Sequence, residues 1–168
     1  MQTKKLTLSA LLIALGTIAG NIIFIPVGAA KCFPVQHTIN VMSAVLLGPG
    51  YAVANAFLIS LLRNILGTGS LLAFPGSMLG AYLAGILYQK LGSKIYAVMG
   101  EIFGTGILGG LLAFPIARLL MGKDVAAFFF VVPFLVSTLG GSAIGYAILT
   151  VLEKNHVLKN QVPGGSVK

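Results

Sequence analysis

Glu101 stands in an apolar run, Ile95 to Ala117, that is long enough to cross a membrane. On insertion scales a charged residue at the centre of such a helix costs roughly 2.5 to 3.5 kcal/mol. The chain has only three acidic residues in 168. Placing one of them inside a spanning segment points to a polar site facing the interior of a helix bundle. Three other readings stay open from the residues alone. Glu101 is protonated and packed, is paired with a basic group, or lies close to the inner interface, since it falls roughly 9 Å from the inner end of its segment.

Composition agrees with a membrane bundle. The chain is 57% hydrophobic and 8% charged, with a mean hydropathy of +1.00. These values exclude a disordered chain and argue against a soluble domain. With membrane helices of about 20 residues, the length holds about six and leaves short loops, hence one domain and no separate soluble catalytic unit. The net charge of +8 is spread through connections and tails rather than along one helix face, which fits topology better than nucleic-acid binding. The single cysteine, Cys32, excludes an internal disulfide and a cysteine-based metal cage. A signal peptide is the alternative for the N-terminus, where Lys4-Lys5 precedes an apolar run and Gly28-Ala29-Ala30 is small. The run from Leu6 to Pro26 is longer than a typical signal core and reads better as a first spanning helix.

The expected architecture is an all-α integral membrane bundle with both termini inside. Its expected helices cover residues 6–26, 36–47, 51–66, 77–91, 95–120 and 125–152, followed by a polar tail, 153–168. Gly48-Pro49-Gly50 marks a turn, and the Gly67-to-Gly76 stretch a connection. On this topology the inner side holds Lys4, Lys5, Lys90, Lys94, Lys154, Lys159 and Lys168, and the outer side Lys31, Arg63, Arg118 and Lys123. The bias follows the positive-inside rule. The second segment is short for a span, so it is tilted, deeply buried or partly re-entrant. Small residues recur at spacing four: Ala10/Ala14, Gly16/Gly20, Ala52/Ala56, Gly76/Gly80, Gly100/Gly104, Gly106/Gly110 and Gly141/Gly145. Such ridges allow close helix packing in lipid.

Three polar clusters interrupt the apolar background. Lys31, Gln36, His37 and Asn40 form the first; the last three share one helical face and offer donors and acceptors without obligate charge. They suit a small polar ligand, or they hydrate a helix end. Arg63 and Asn64, with Gly67-Thr68-Gly69-Ser70, form the second. Here Arg63 either meets a ligand or snorkels to the outer interface, and the glycines either approach a ligand or make a turn. Glu101 with Thr105, four residues apart and flanked by Gly100, Gly104 and Gly106, forms the third and reads as a notch in a helix wall. A direct Arg63–Glu101 pair fits this topology poorly. No nucleotide-binding, zinc-hydrolase or nucleophile-elbow motif is present, nor a cluster of acids for a metal, so enzyme chemistry and a metal have no support.

Two stretches carry a resemblance: Pro26 to Asn40, and Arg63 to Ser77. With the segment from Glu101 to Pro115, and over residues 5 to 153, the chain resembles the ThiW-type branch of the substrate-binding S components of energy-coupling factor (ECF) vitamin transporters. That branch is assigned to hydroxyethylthiazole, the thiazole precursor of thiamin. The resemblance implies a prokaryotic plasma-membrane protein without catalysis or a cofactor of its own. Such a protein captures its ligand on the outer side and docks to a membrane coupling subunit, while two cytoplasmic ATPases use ATP. It implies too that the Ala-x-x-x-Ala pattern of the first helix, matched by Ala10 and Ala14, packs against the coupling subunit. Gln36, His37, Asn40, Arg63, Asn64, Glu101 and Thr105 are then the expected ligand-binding residues. Phe24, Phe33 and Phe74 are candidate aromatic walls, and there is no Trp to stack on the ring. Two alternatives remain: an S component for another vitamin or precursor, and a self-sufficient ion-coupled transporter with Glu101 in its ion path.

Overall fold

The computed structural model describes residues 2–27 and 30–155. Among them the regular secondary structure is helical apart from one short hairpin. Helix α1 is Gln2–Ile22, and the strands β1, Ile25–Val27, and β2, Ala30–Cys32, follow it. Next come α2, Pro34–Leu47, α3, Pro49–Ile65, and α4, Ala73–Leu91. A rod from Lys94 to Leu119 is then built of α5, Lys94–Glu101, a π-helical segment, Ile102–Gly109, and α6, Gly110–Leu119. The last helix is α7, Val131–Lys154, so there are six rods. Three are each long and apolar enough to cross a membrane: Gln2–Gly20, Lys94–Leu119 and Val131–Lys154.

Four boundaries differ from expectation by more than two residues, and one of them is the start of the first helix, at Gln2 rather than Leu6. The first helix stops at Ile22 rather than Pro26, because Pro26 biases Ile25 toward extended backbone. Ile25 then pairs with Cys32 and Val27 with Ala30 in an antiparallel hairpin. The fourth helix begins at Ala73 rather than Ser77, with Pro75 in its first turn, where the missing N–H breaks no bond. The sixth rod begins at Val131 rather than Val125. Residues 122–130 form a connection held by turns, with Phe129 N–H donating to Ala126 O (3.0 Å) and Val131 N–H to Phe128 O (3.1 Å). Pro133 sits near the start of the helix that follows. Of the expected polar tail, residues 156–168 lie outside the described residues, as does the side chain of Lys31.

Helix α2 occupies the centre and touches α1, α3, α4, α5 and α7. It is about 21 Å long, short of a hydrocarbon core of about 30 Å. Nearly every residue along it is buried, polar and apolar alike: Gln36, His37, Thr38, Asn40 and Ser43 with Ile39, Val41, Ala44, Val45, Leu46 and Leu47. It turns into α3 through one residue, Gly48, whose φ of 91° excludes most side chains, and Pro49 opens α3. The outer faces are apolar: Leu6, Leu11, Ile18 and Ile22 on α1 and Val132, Leu139 and Val151 on α7 are exposed. A surface of this kind needs lipid around it.

Close approach between α4 and the long rod depends on glycine. A Cβ at Gly104 would stand 2.6 Å from Gly80 Cα, and one at Gly100 2.6 Å from Ala84 N. Both obstacles are backbone and cannot rotate away. Gly104→Val is therefore expected to lower stability by about 1–3 kcal/mol or more through overpacking, read as a fall in thermal midpoint in detergent. Gly50→Ala, with open space around its site, serves as the control and should leave the midpoint unchanged or raised. Equal midpoints for both variants would remove the backbone-contact account.

Candidate functional site

The N-terminal end of α2, the C-terminal end of α3 and the start of α4 meet the π-helical segment, the start of α7 and the hairpin around a cavity of about 710 Å³. That volume is within the usual range for small-molecule sites. Phe24, Phe33, Phe129, Phe130 and Phe134 supply aromatic wall, and Gln36, His37, Arg63, Ser77, Thr105 and Ser137 supply polar groups. Thr68, Gly69 and Ser70 line it from the α3–α4 connection, and Lys123 lies at an exposed edge. No carboxylate is among the lining residues.

Arg63 is turned inward and is 2% exposed, so it does not snorkel. Its Nη1 donates to Gln36 Oε1 (2.8 Å) and its Nη2 to Thr68 O (3.2 Å). The guanidinium also lies 4.1 Å from the centre of the Phe33 ring, a cation–π geometry. One cation thus ties α2, α3, the segment before α2 and the α3–α4 connection together. Gln36 passes the chain on: its Nε2 donates to Ser60 Oγ (2.9 Å), which stands 3.2 Å from Ser77 Oγ. Asn64 turns away and donates to Ser60 O of its own helix (2.8 Å).

Behind the cavity wall sits Glu101, 0% exposed. Its Oε1 is met by His37 Nδ1 at 2.8 Å, Asn40 Nδ2 at 3.0 Å and Thr105 Oγ1 at 2.9 Å. Two of these come from α2 and one from the next turn of its own rod. The basic partner of Glu101 is therefore His37, and the carboxyl group lies in the core of the bundle. Asn40 also donates to Ser77 O (3.2 Å), joining this cluster to the Arg63 chain. Glu101 is the last residue before the π-helical segment. Such i→i+5 segments are rare and gather at functional sites. Gly80 of α4 makes room: a Cβ there would stand 2.6 Å from Glu101 Oε2 and would collide with Thr105 Oγ1.

Four of the seven sequence-predicted residues, Gln36, His37, Arg63 and Thr105, thus line the cavity, and Asn40, Asn64 and Glu101 stand behind it. Of the three expected aromatic walls, Phe24 and Phe33 line it, whereas Phe74 packs on Phe57 at 5.7 Å. Sequence reasoning missed Ser77, Ser137 and the Phe129–Phe134 wall. Ser137 accepts from Phe33 N–H (2.9 Å), and Cys32 Sγ donates to Pro133 O (3.1 Å), so both anchor the hairpin on α7. Burial pushes the Cys32 thiol above its ordinary value, which leaves it a weak donor rather than a reactive thiolate. Among the described residues no group of side chains has the composition of a metal site.

Three comparisons with known proteins bear on this arrangement. Residues 6–155 match the family described as thiamine-precursor transporter protein, ThiW. A solved structure reported as the S component of a bacterial ECF transporter superposes with a TM-score of 0.73, covering 95% of this chain and 99% of that one at 16% identity. The chain therefore has the S-component fold. The search of curated proteins finds no match.

Arg63→Lys tests the tie around the cavity. The charge stays, but a single ammonium cannot hold Gln36 Oε1 and Thr68 O while lying flat on Phe33. A loss of about 1–3 kcal/mol is expected, with faster amide exchange at Thr68 and Gly69, whose N–H groups bond to Arg63 O. Unchanged melting and exchange would mean that the guanidinium contacts contribute little.

Proposed function

Because the chain belongs to the ThiW family of thiamine-precursor transporters, we propose that it is the substrate-binding S component of an ECF-type importer and that its ligand is hydroxyethylthiazole. The observation that carries this reading is the cavity itself, aromatic on several sides with polar groups at Gln36, His37, Arg63 and Thr105. A thiazole ring needs flat apolar walls, and its nitrogen and hydroxyl each need one partner. Pockets for small ligands have that mixture. Asn40, Asn64 and Glu101 contribute by holding the wall residues and their helices.

Orientation follows from charge. The cavity lies at the end of the bundle away from Lys4, Lys5, Lys90, Lys94 and Lys154. With those lysines inside, the bundle crosses the membrane six times with both termini inside, and the cavity faces outward. Residues 1–168 act as one binding domain in the plasma membrane of a prokaryote. On α1, Ala10 and Ala14 are exposed while Ser9 and Leu12 are buried. Two small residues one turn apart leave a shallow groove, which suits a close-packed helix of a coupling subunit. The chain carries no cofactor, and two cytoplasmic ATPases bound to that subunit supply the energy.

Calorimetric titration of the purified chain with hydroxyethylthiazole, its phosphate and thiamin tests the ligand. Tight binding of the unphosphorylated thiazole alone is expected. If none of the three binds to a folded, monodisperse sample, the ligand assignment falls, and another vitamin precursor or an ion-coupled transporter takes its place. Gln36→Ala and His37→Ala should each weaken binding by about tenfold or more with expression retained. Ala10→Trp combined with Ala14→Trp should do the opposite, leaving binding intact and abolishing uptake in cells; continued uptake would remove α1 as the docking face.

A further inference from the structure

Glu101 does not reach the cavity, yet it touches a ring that does. His37 lines the cavity and presents two nitrogens to different surroundings. Its Nδ1 faces Glu101 Oε1 at 2.8 Å in the core. Its Nε2 has no hydrogen-bond partner among the described residues, and it is not among the fully buried polar atoms that lack one. Nε2 is therefore the nitrogen available to a ligand.

The bonds around Glu101 decide which nitrogen carries the proton. Oε1 accepts an amide hydrogen from Asn40, and the Thr105 hydroxyl lies 2.9 Å from it and 3.0 Å from Gly76 O, so its one hydrogen serves only one of the two. An oxygen that already accepts in this way is a poor place for a proton of its own. The other oxygen, Oε2, is buried with no acceptor beside it, so a proton there would be stranded. The remaining arrangement has Nδ1–H donating to the carboxylate. In histidine the bond made by one nitrogen sets the state of the other.

We infer that Glu101 is a positioning residue that fixes His37 as the Nδ1–H tautomer, so that Nε2 accepts a hydrogen bond from an O–H donor on the ligand. The cavity then selects for a hydroxyl at that point and against an alkyl ether of the same skeleton. Asn40 and Thr105 hold Oε1 in place, which accounts for their position in the same cluster. The ligand half of this inference rests on the proposed function; the tautomer half does not.

The two halves have separate tests. The first is the ¹⁵N chemical shifts of the His37 ring in the ligand-free protein. A pyrrole-type shift at Nδ1 and a pyridine-type shift at Nε2 are expected. The reverse pattern, or pyrrole-type shifts at both nitrogens as in an imidazolium, overturns the inference whether or not any thiazole binds. Glu101→Gln should keep the pattern, because its amide oxygen can take the place of Oε1. Glu101→Met, of similar length and without an acceptor, should lose it. The second test titrates hydroxyethylthiazole against its methyl ether, which keeps the oxygen and lacks the O–H. The intact protein should prefer the alcohol by about tenfold, the value of one well-placed hydrogen bond. Glu101→Gln should keep that preference, and Glu101→Met should reduce it to about threefold or less. Equal binding of alcohol and ether by the intact protein overturns the hydroxyl reading. If neither compound binds, the proposed ligand is wrong, and the ring shifts still decide the tautomer.

Discussion

A carboxylate with no exposed surface has to find its hydrogen-bond donors in the protein, and most of this bundle is arranged around that requirement. Glu101 finds three polar neighbours at one oxygen, two of them on α2. A helix that brings His37 and Asn40 to the same atom cannot lie on the surface or slide along the rod without leaving a buried carboxyl group short of partners, which costs about 1–3 kcal/mol or more. The bond cluster thus sets the register of α2 against α5. Because α2 also touches α1, α3, α4 and α7, that register reaches the rest of the bundle.

Glycine makes the cluster geometrically possible. The α4 surface that faces Glu101 and Thr105 carries Gly76, Gly80 and Ala84, and the rod answers with Gly100, Gly104 and Gly109. The helices meet backbone to backbone there, which in lipid brings dispersion and weak C–H···O contacts where the hydrophobic effect supplies no attraction between helices. On the other side of α2, a Cβ at Gly141 would collide with Pro34 O and stand 2.7 Å from His37 Cβ. His37 is therefore gripped from behind by α7 while its ring reaches between Glu101 and the cavity. Polar bonds choose the register, and small residues allow the approach that makes those bonds short.

The sequence made the polar residues conspicuous and left their partners hidden. Gln36, His37, Arg63, Glu101 and Thr105 stand out because each interrupts an apolar or small-residue stretch, and four of these five line the cavity. Their pairing was not legible: His37 and Glu101 are 64 residues apart, and helix periodicity carries no information about which face meets which. Ser77 and Ser137 look like any other small residue of a membrane helix. The errors at the end of α1 and the start of α7 have one cause. Ile22 to Val27 and Val125 to Val132 are as apolar as the helices beside them, and hydropathy cannot distinguish a helix from a hairpin or a turn in such runs. Only Pro26 and Pro133 punctuate them. The second of these misreadings concealed Phe129 and Phe130, a large part of the aromatic wall.

The two ends of the bundle carry different kinds of polarity, and that division gives the fold its direction. At the lysine-rich end, Lys94 pairs with Glu153 and lies 5.0 Å from the centre of the Tyr146 ring, while Ser9, Asn55 and Ser43 join α1, α3 and α2 through direct side-chain bonds. At the other end the polar groups bond to one another around a cavity. Helix α1 belongs to both. Gly20 rests against the Arg63 side chain, with a Cβ there only 3.7 Å from Arg63 Cδ, and Ser9 bonds to Asn55 on the same partner helix. The exposed alanines of α1 therefore sit on a helix fastened at one end to the residue that organises the cavity rim and at the other to the core of α2 and α3. The cavity and an exposed small-residue face on one 168-residue chain are joined by two helices, with no intervening loop to loosen the connection.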